Sequence, residues 1–168
     1  MKKFISQIGY KYCGKWKKLE QPMGSKDKEL WIKFFPDNQE LSTKNGPLVY
    51  LWVYNNEIIY VGESSKSVTK RMSGHEGGFR GNSKSGRAKQ DYLTVNKIDE
   101  IEVYVCFEAG LFNFLYQKKN QLSIPVEDLQ ENMFENNLEV VKYIEENLFI
   151  GYFNPVLNGK IVQKTEPI

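Results

Sequence analysis

The stretch at residues 48–62, LVYLWVYNNEIIYVG, constrains the fold more strongly than any other part of the sequence. Its β-branched and aromatic residues predict two β-strands, at 48–54 and 58–61. The Asn55-Asn56 pair between them tolerates the positive φ angles of a tight turn, so the two strands should pair as a hairpin. The chain is therefore expected to build part of its core from an antiparallel sheet.

Two tyrosines, Tyr50 and Tyr60, lie on the two predicted strands. A three-residue loop at about 54–56 would place both phenols on one face of the sheet. A two-residue loop would send them to opposite faces, because a register shift of one residue turns every side chain over. Two ordinary strand tyrosines, selected for their preference for sheets, would also explain the pair.

Weaker patterns predict the remaining elements. Ser64 or Ser65 could cap a short helix that runs to about Ser73, and glycines among basic residues at 75–85 predict a mobile loop. Residues 101–108 alternate as in a third strand. Further helices are expected at 88–95, 111–121, 126–134 and 137–153. This order predicts the α+β class, with a small, mainly antiparallel sheet (the hairpin plus the third strand) flanked by helices.

The chain has 168 residues, which suits a single domain with additions. A turn signal at 45–47 separates a basic and aromatic N-terminal extension, residues 1–45, from the domain itself, residues 46–158. We assign little regular structure to the extension. An insertion is expected at about 109–136, and residues 159–168 form a C-terminal tail.

The net charge of +2 conceals a segregation of charge along the sequence. Residues 64–90 contain seven bases and one acid, whereas residues 124–146 contain seven acids and one base. This asymmetry predicts a polyanion-binding face on the first segment and a solvated face on the second. Ordinary soluble surface on both segments would also explain it.

Several protein classes are disfavoured by the sequence. The N-terminal 18 residues are too polar for a signal peptide, and the longest apolar run, 48–54, is too short to span a bilayer. Cys13 and Cys106 are far apart and lack further ligand pairs, which disfavours a zinc site and a disulfide framework. We therefore expect a cytoplasmic protein with reduced thiols and no membrane association.

The spacing of four residues resembles the GIY-YIG nuclease family. LVY ends at Tyr50, YVG begins at Tyr60, and the predicted helix that follows carries Arg71, with His75 four residues later. In that family the two tyrosine motifs lie on adjacent strands, and an arginine on the next helix points at the same site. Arg71 and His75 are one helical turn apart, so both could face one phosphate.

A motif late in the chain adds to this resemblance, which covers about residues 46–158. ENLFI begins at Glu146 and is followed by Pro155 and Asn158, which is similar to the family's metal-binding glutamate with its trailing proline and asparagine. Glu145 is an alternative, because it lies on the apolar stripe of the predicted helix. A surface pair of glutamates would also explain the sequence.

The resemblance implies a sequence-specific endonuclease that cuts double-stranded DNA, most like the small Type II restriction enzymes of the family. Tyr50 or Tyr60 would take a proton from water, and Arg71 would stabilise the phosphate. His75 would be a second proton-handling or phosphate-contacting group. Glu146 would hold Mg²⁺ or Mn²⁺.

The resemblance also implies contacts and partners. Gly62 and Asn158 would support the site, and Lys70 is an alternative to Arg71 in the catalytic position. The expected contacts with DNA phosphates are Lys70, Arg80, Lys84, Arg87 and Lys89. Two copies would meet as a homodimer on a palindromic site, and a cognate DNA methyltransferase would protect the host DNA without direct contact. A phage or homing-type nuclease and a non-catalytic DNA-binding module remain alternatives.

Overall fold

The computed structural model describes residues 2–7, 9–19, 32–79, 83–107, 139, 150 and 153–158. Its elements, in chain order, are α1 (Lys2–Gln7), β1 (Lys11–Lys18), β2 (Ile32–Pro36), α2 (Gln39–Thr43), β3 (Leu48–Tyr54), β4 (Glu57–Ser64), α3 (Val68–Gly77), α4 (Lys84–Val95), β5 (Glu100–Phe107) and a 3₁₀ turn at Val156–Asn158.

Five strands form one sheet in the order β2-β1-β5-β3-β4, and each adjacent pair is antiparallel. The predicted α+β class is confirmed. The sheet is wider than predicted, because β1 and β2 come from residues 1–45 and join it through β5. Lysines and Gly14 interrupt the alternation of β1, and its pairing with β5 shifts between Tyr12 and Gly14. These interruptions hide the strand in the sequence.

The hairpin has a two-residue turn, in which Asn55 and Asn56 adopt φ angles of 48° and 65°. Asparagine tolerates this left-handed conformation, which suits the two-residue turns that join twisted antiparallel strands. The turn residues agree with the sequence pattern. β4 is longer than predicted and continues through Ser64.

A β-bulge decides where the two tyrosines point. Trp52 pairs with Tyr60, but Val53 pairs with Ile58, so one residue of β4 is extra. The expectation that a two-residue loop would separate Tyr50 and Tyr60 was wrong, because the bulge adds the single step that returns both side chains to one face.

The face of the sheet that carries the tyrosines is covered by an aromatic layer. Trp16 lies at its centre, with ring centroids 5.4 Å from Trp52, 5.7 Å from Phe34 and 5.6 Å from Phe79, all edge to face. Met72 of α3 packs into the same buried cluster. Interlocked aromatic rings of this kind give the site a rigid floor.

The helix α3 begins and ends later than predicted. Its cap is Ser67, whose side chain accepts a hydrogen bond from the backbone N–H of Lys70, whereas Ser64 is still part of β4. The helix then runs past His75, and the backbone N–H of Phe34 donates to Glu76 Oε1 at 3.1 Å. This contact ties the second half of α3 to β2.

Some of the glycines that predicted a mobile loop lie where α4 closely approaches the end of α3. A Cβ on Gly86 of α4 would lie 2.1 Å from the carbonyl oxygen of Gly78, which follows α3. Only glycine permits this approach of the two backbones. The loop prediction was therefore wrong for residues 75–77 and 84–85, which are helical.

Several predictions fall on residues that are not described. These are the helices at 111–121 and 126–134, nearly all of the helix at 137–153, the insertion at 109–136, the tail at 159–168, and the side chains of Arg80, Glu145 and Glu146. Within the described ranges, no helix is long and apolar enough to cross a membrane.

Candidate active site

Tyr50, in the middle of β3, is the hub of a polar cluster beneath α3. Its hydroxyl accepts a hydrogen bond from Arg71 Nε at 3.0 Å and lies 2.7 Å from His75 Nε2. Arg71 and His75 are one turn apart on α3, so both reach the same point on the sheet. The side chain of Tyr60 is a third hydrogen-bonding neighbour. A hydroxyl offers one donor and two acceptor sites, so these three neighbours fill the capacity of Tyr50.

Burial keeps the side chains of Tyr50 and His75 uncharged. The side chain of Tyr50 is fully buried, and burial together with the neighbouring Tyr60 raises the pKa of Tyr50 well above 10, although Arg71 opposes this shift. Burial, Lys89 and Arg71 lower the pKa of His75 to about 2. At neutral pH Tyr50 therefore keeps its proton and His75 is a neutral imidazole.

The lowered pKa of His75 predicts an acid-dependent loss of stability. The pKa is about 2 in the folded chain and 6.5 ordinarily, so the unfolded chain binds the proton first as the pH falls. The contribution of neutral His75 to the stability of the folded chain is therefore fully present above pH 6.5. It is lost as the pH falls from 6.5 towards 2. We expect the free energy of unfolding to fall by about 1.4 kcal/mol per pH unit below pH 6.5 from this group.

Urea unfolding at pH values between about 6.5 and 5, above the range where most carboxylates titrate, measures this slope. His75 is the only histidine of the chain, so the His75→Gln variant should lack the slope whatever its absolute stability. Equal slopes in the two proteins would show that His75 is not held neutral by its surroundings.

Gly62 makes room for the ring of Tyr50. The two residues are directly paired across β3 and β4, and a Cβ on Gly62 would lie 2.3 Å from both Cζ and the hydroxyl oxygen of Tyr50. Any side chain at this position would displace the phenol from Arg71 and His75. The glycine of the YVG motif is thus a spatial requirement of the hub.

Gly62→Ala should lower the free energy of unfolding by about 2–4 kcal/mol, because the buried Tyr50 ring has to move and lose its hydrogen bonds. Gly74→Ala on α3 is the matched control, since its Cβ would meet no described atom within 4 Å. That change should be neutral or stabilise by up to about 1 kcal/mol. Chemical denaturation of both variants measures the difference, and equal stabilities would contradict the packing argument.

Tyr60 lies beside this hub and is covered by a buried cation. Its ring centroid is 6.0 Å from that of Tyr50, 5.6 Å from that of His75 and 4.7 Å from that of Trp52. The ammonium of Lys89, a residue only 7% exposed, lies 3.9 Å from the Tyr60 ring centroid. A cation held over the face of an aromatic ring is attracted by the ring.

Asn158 fastens the strand that carries Tyr60. Its side-chain Oδ1 accepts from the backbone N–H of Val61 at 2.8 Å, and its Nδ2 donates to the carbonyl oxygen of Val61 at 2.7 Å. β4 is an edge strand of the sheet, so the amide takes the place of a neighbouring strand at this residue. Asn158 thus braces the YVG motif.

Arg71, rather than its neighbour Lys70, reaches the tyrosines. Burial acts to lower the pKa of Arg71, but Tyr50, Tyr60 and Glu63 outweigh it and raise the pKa above its usual value. Within the described part of the chain, the hydrogen bond to Tyr50 is the one that the Arg71 side chain makes. The terminal guanidinium nitrogens are therefore oriented and available to a ligand.

The residues expected to contact DNA fall into two groups. Lys70, Lys84 and Arg87 are exposed on α3 and α4, whereas Lys89 is buried against Tyr60. A count of charges along the sequence cannot separate these cases, because a long lysine side chain can lie along aromatic surface. Arg80 is outside the described residues.

The sequence analysis did not single out Trp52 and Tyr92. Trp52 stands next to Tyr50 on the same face of β3, and its ring centroid is 4.9 Å from that of His75. Tyr92 follows Lys89 by three positions on α4, which places both on one side of the helix. Strand and helix periodicity could have identified both residues, once the boundaries of β3 and α4 were known.

No group of three or more histidine, cysteine or acidic side chains among the described residues could hold a metal ion. Glu146 and its alternative Glu145 are not described. Mg²⁺ keeps several water ligands and needs only one or two carboxylates from the protein. The groups at this point of the sheet are two phenols and a neutral imidazole, and two cations lie beside them. Such a set suits an anion and not a metal.

Comparison with known proteins gives one structural likeness. The chain is similar to the solved structure of restriction endonuclease HPY188I in complex with product DNA, with 22% sequence identity and a TM-score of 0.43. The match covers 77% of this chain and 85% of that one. No protein-family model and no curated protein sequence matches the chain.

Proposed function

We propose that the chain is a metal-dependent, sequence-specific endonuclease that hydrolyses phosphodiester bonds of double-stranded DNA, as Type II restriction enzymes of the GIY-YIG family do. The observation that supports this most is the convergence of Tyr50, Tyr60, Arg71 and His75 at one point on the sheet. The reaction needs a proton acceptor for the attacking water, positive charge beside the phosphoryl oxygens, and stabilisation of the leaving oxygen.

Tyr60 is the residue that takes the proton from water in this proposal. The alternative, Tyr50, has its hydroxyl occupied by three protein neighbours and keeps its proton because burial raises its pKa. Tyr60 lines a cleft that opens to solvent, and the Lys89 ammonium lies over its ring. A phenol is a weak base at neutral pH unless positive charge favours its ionised form, and Lys89 supplies such a charge.

Arg71 grips the phosphate as negative charge develops on its oxygens. Its Nε is fixed by Tyr50, which aims the terminal nitrogens without further ordering when the substrate arrives. A planar guanidinium suits the oxygens of a phosphate. Tyr50 acts as a positioning residue because it holds the arginine and not the substrate, and His75 acts through its contact with the Tyr50 hydroxyl.

The metal ion in this proposal is Mg²⁺ or Mn²⁺, held mainly by Glu146. Bound there, it would supply positive charge to the leaving 3′ oxygen. Glu145 is the alternative ligand.

DNA binding in this proposal comes from exposed cations on α3 and α4. Lys70, Lys84 and Arg87 would meet backbone phosphates on either side of the cleaved bond, together with Arg80. Cutting both strands of a palindromic site requires two active sites, so two copies of the chain would meet on the duplex. A cognate methyltransferase would protect the host DNA.

Incubation of the purified chain with phage DNA tests the function. We expect discrete fragments in the presence of Mg²⁺ and none in the presence of EDTA. Glu146→Ala should abolish cutting and Glu145→Ala should not, and the reverse result would exchange the two residues. Binding without cutting by a folded protein in Mg²⁺ and in Mn²⁺ would favour the non-catalytic DNA-binding module.

A further inference from the structure

A cleft of about 590 Å³ opens beside Tyr60, between α4 and the 3₁₀ turn at Val156–Asn158. Lys84, Lys89 and Tyr92 line it from one side of α4, and Val156 and Leu157 line it from the turn. The roles proposed above for Tyr60 and Lys89 concern its inner end and leave most of this volume unexplained.

The walls of the cleft divide into a cationic part and an apolar part. The ammonium groups come from Lys84, at the exposed start of α4, and from Lys89 at the inner end. The ring of Tyr92 and the side chains of Val156 and Leu157 are apolar, and Val156 is 52% exposed although it is a large hydrophobic residue. No carboxylate lines the cleft among the described residues. Its chemistry suits an anion joined to a flat or apolar group.

The size of the cleft suits a small organic anion. Cavities of about 300–1,000 Å³ are typical of small-molecule sites. A second depression of about 270 Å³ adjoins the first, because Tyr92 and Val156 line both. Glu57 lines the second depression, so the anionic part of a ligand is expected in the first, where the two lysines lie.

We propose that the cleft is the subsite for one nucleotide of the cleaved strand, immediately beside the scissile phosphate at Tyr60. Its phosphate lies near Lys84 and Lys89, and its nucleoside part packs on Tyr92 and Val156. This inference rests on the proposed function, which makes DNA the substrate and Tyr60 the proton acceptor.

Calorimetric titration with thymidine 3′,5′-bisphosphate, at low salt and without divalent metal, tests the subsite in the whole chain. Tyr92→Ala and Lys84→Ala should each weaken binding roughly tenfold, since they remove a stacking surface and a phosphate contact. Tyr92→Phe keeps the ring and should bind within about twofold of the unchanged protein. Lys97→Asn removes a charge just beyond the C-terminal end of α4, from a residue that does not line the cleft, and should also have no effect.

Three results would overturn the inference. The first is that the folded protein does not bind the bisphosphate. The second is equal affinity in the unchanged, Tyr92→Ala and Lys84→Ala proteins; Lys84 is exposed, so that variant is expected to fold. The third is that inorganic phosphate competes as strongly as the bisphosphate, which would leave an anion-binding patch with no nucleoside contact.

The same variants separate this inference from the proposed function. If the bisphosphate binds as expected but no DNA is cut in Mg²⁺, nucleotide binding in the cleft stands, but the catalytic proposal and the place of the cleft beside a scissile phosphate fail. If DNA is cut at an unchanged rate by Tyr92→Ala and Lys84→Ala, and the bisphosphate does not bind, the nuclease stands and the subsite fails.

Discussion

Arg71→Ala should lower the rate of DNA cleavage by about a thousandfold while the protein remains folded. The guanidinium is aimed by its hydrogen bond to Tyr50 at 3.0 Å, so the proposed stabilisation of the phosphate would need no rearrangement during the reaction. Removal of one preorganised donor to a developing oxyanion typically costs a hundredfold to a thousandfold in rate. An arginine that contacts a transferring phosphoryl group contributes a factor in rate that is at least as large.

Arg71→Lys is the informative companion variant. A lysine keeps the charge but has one nitrogen, which cannot both bond Tyr50 and span two phosphate oxygens. We expect it to recover less than a tenth of the lost rate. Single-turnover cleavage at saturating protein separates this effect from DNA affinity, which should fall by less than about tenfold because Arg71 would make only one of several phosphate contacts in the proposed complex. Cutting by folded Arg71→Ala at nearly the normal rate would exclude this role.

The parts of the site that sequence reasoning reached are those set by short-range rules. The turn at Asn55-Asn56 follows from the tolerance of asparagine for positive φ, and the proximity of Arg71 to His75 follows from the helical repeat. These two rules place the elements of the site in order along the chain. They do not by themselves place Tyr50 and Tyr60 on one face.

The residues that sequence reasoning missed depend on contacts between distant segments. The bulge in β4 is one such case, since the extra residue could stand at several positions in a run of β-branched side chains. β1 is another, because its strand character comes from pairing with β2 and β5 and not from its lysine-rich sequence. Lys89 is a third, because its burial depends on the packing of its side chain over Tyr60 and Trp52 of the sheet.

A comparison of Tyr60→Phe with Tyr50→Phe should separate catalysis from positioning. Each change removes one hydroxyl from the same face of the sheet. Tyr60→Phe should lower the cleavage rate by about a hundredfold to ten-thousandfold, the usual contribution of a general base. Its effect on stability should be the smaller of the two, because Tyr60 keeps 9% of its surface exposed where it lines the cleft, whereas Tyr50 is fully buried.

Tyr50→Phe should lower the stability more and the cleavage rate less than Tyr60→Phe does, because the Tyr50 hydroxyl contacts both Arg71 and His75. Loss of a buried hydrogen bond to a charged group destabilises by about 1.5–3 kcal/mol, so the free energy of unfolding should fall by about that amount. The cleavage rate should fall less than in Tyr60→Phe, since Arg71 loses its support but stays in place. Urea unfolding measures the stability of each variant, and single-turnover cleavage measures its rate. A larger rate loss in Tyr50→Phe than in Tyr60→Phe, at equal fractions folded, would move the proton acceptor from Tyr60 to Tyr50.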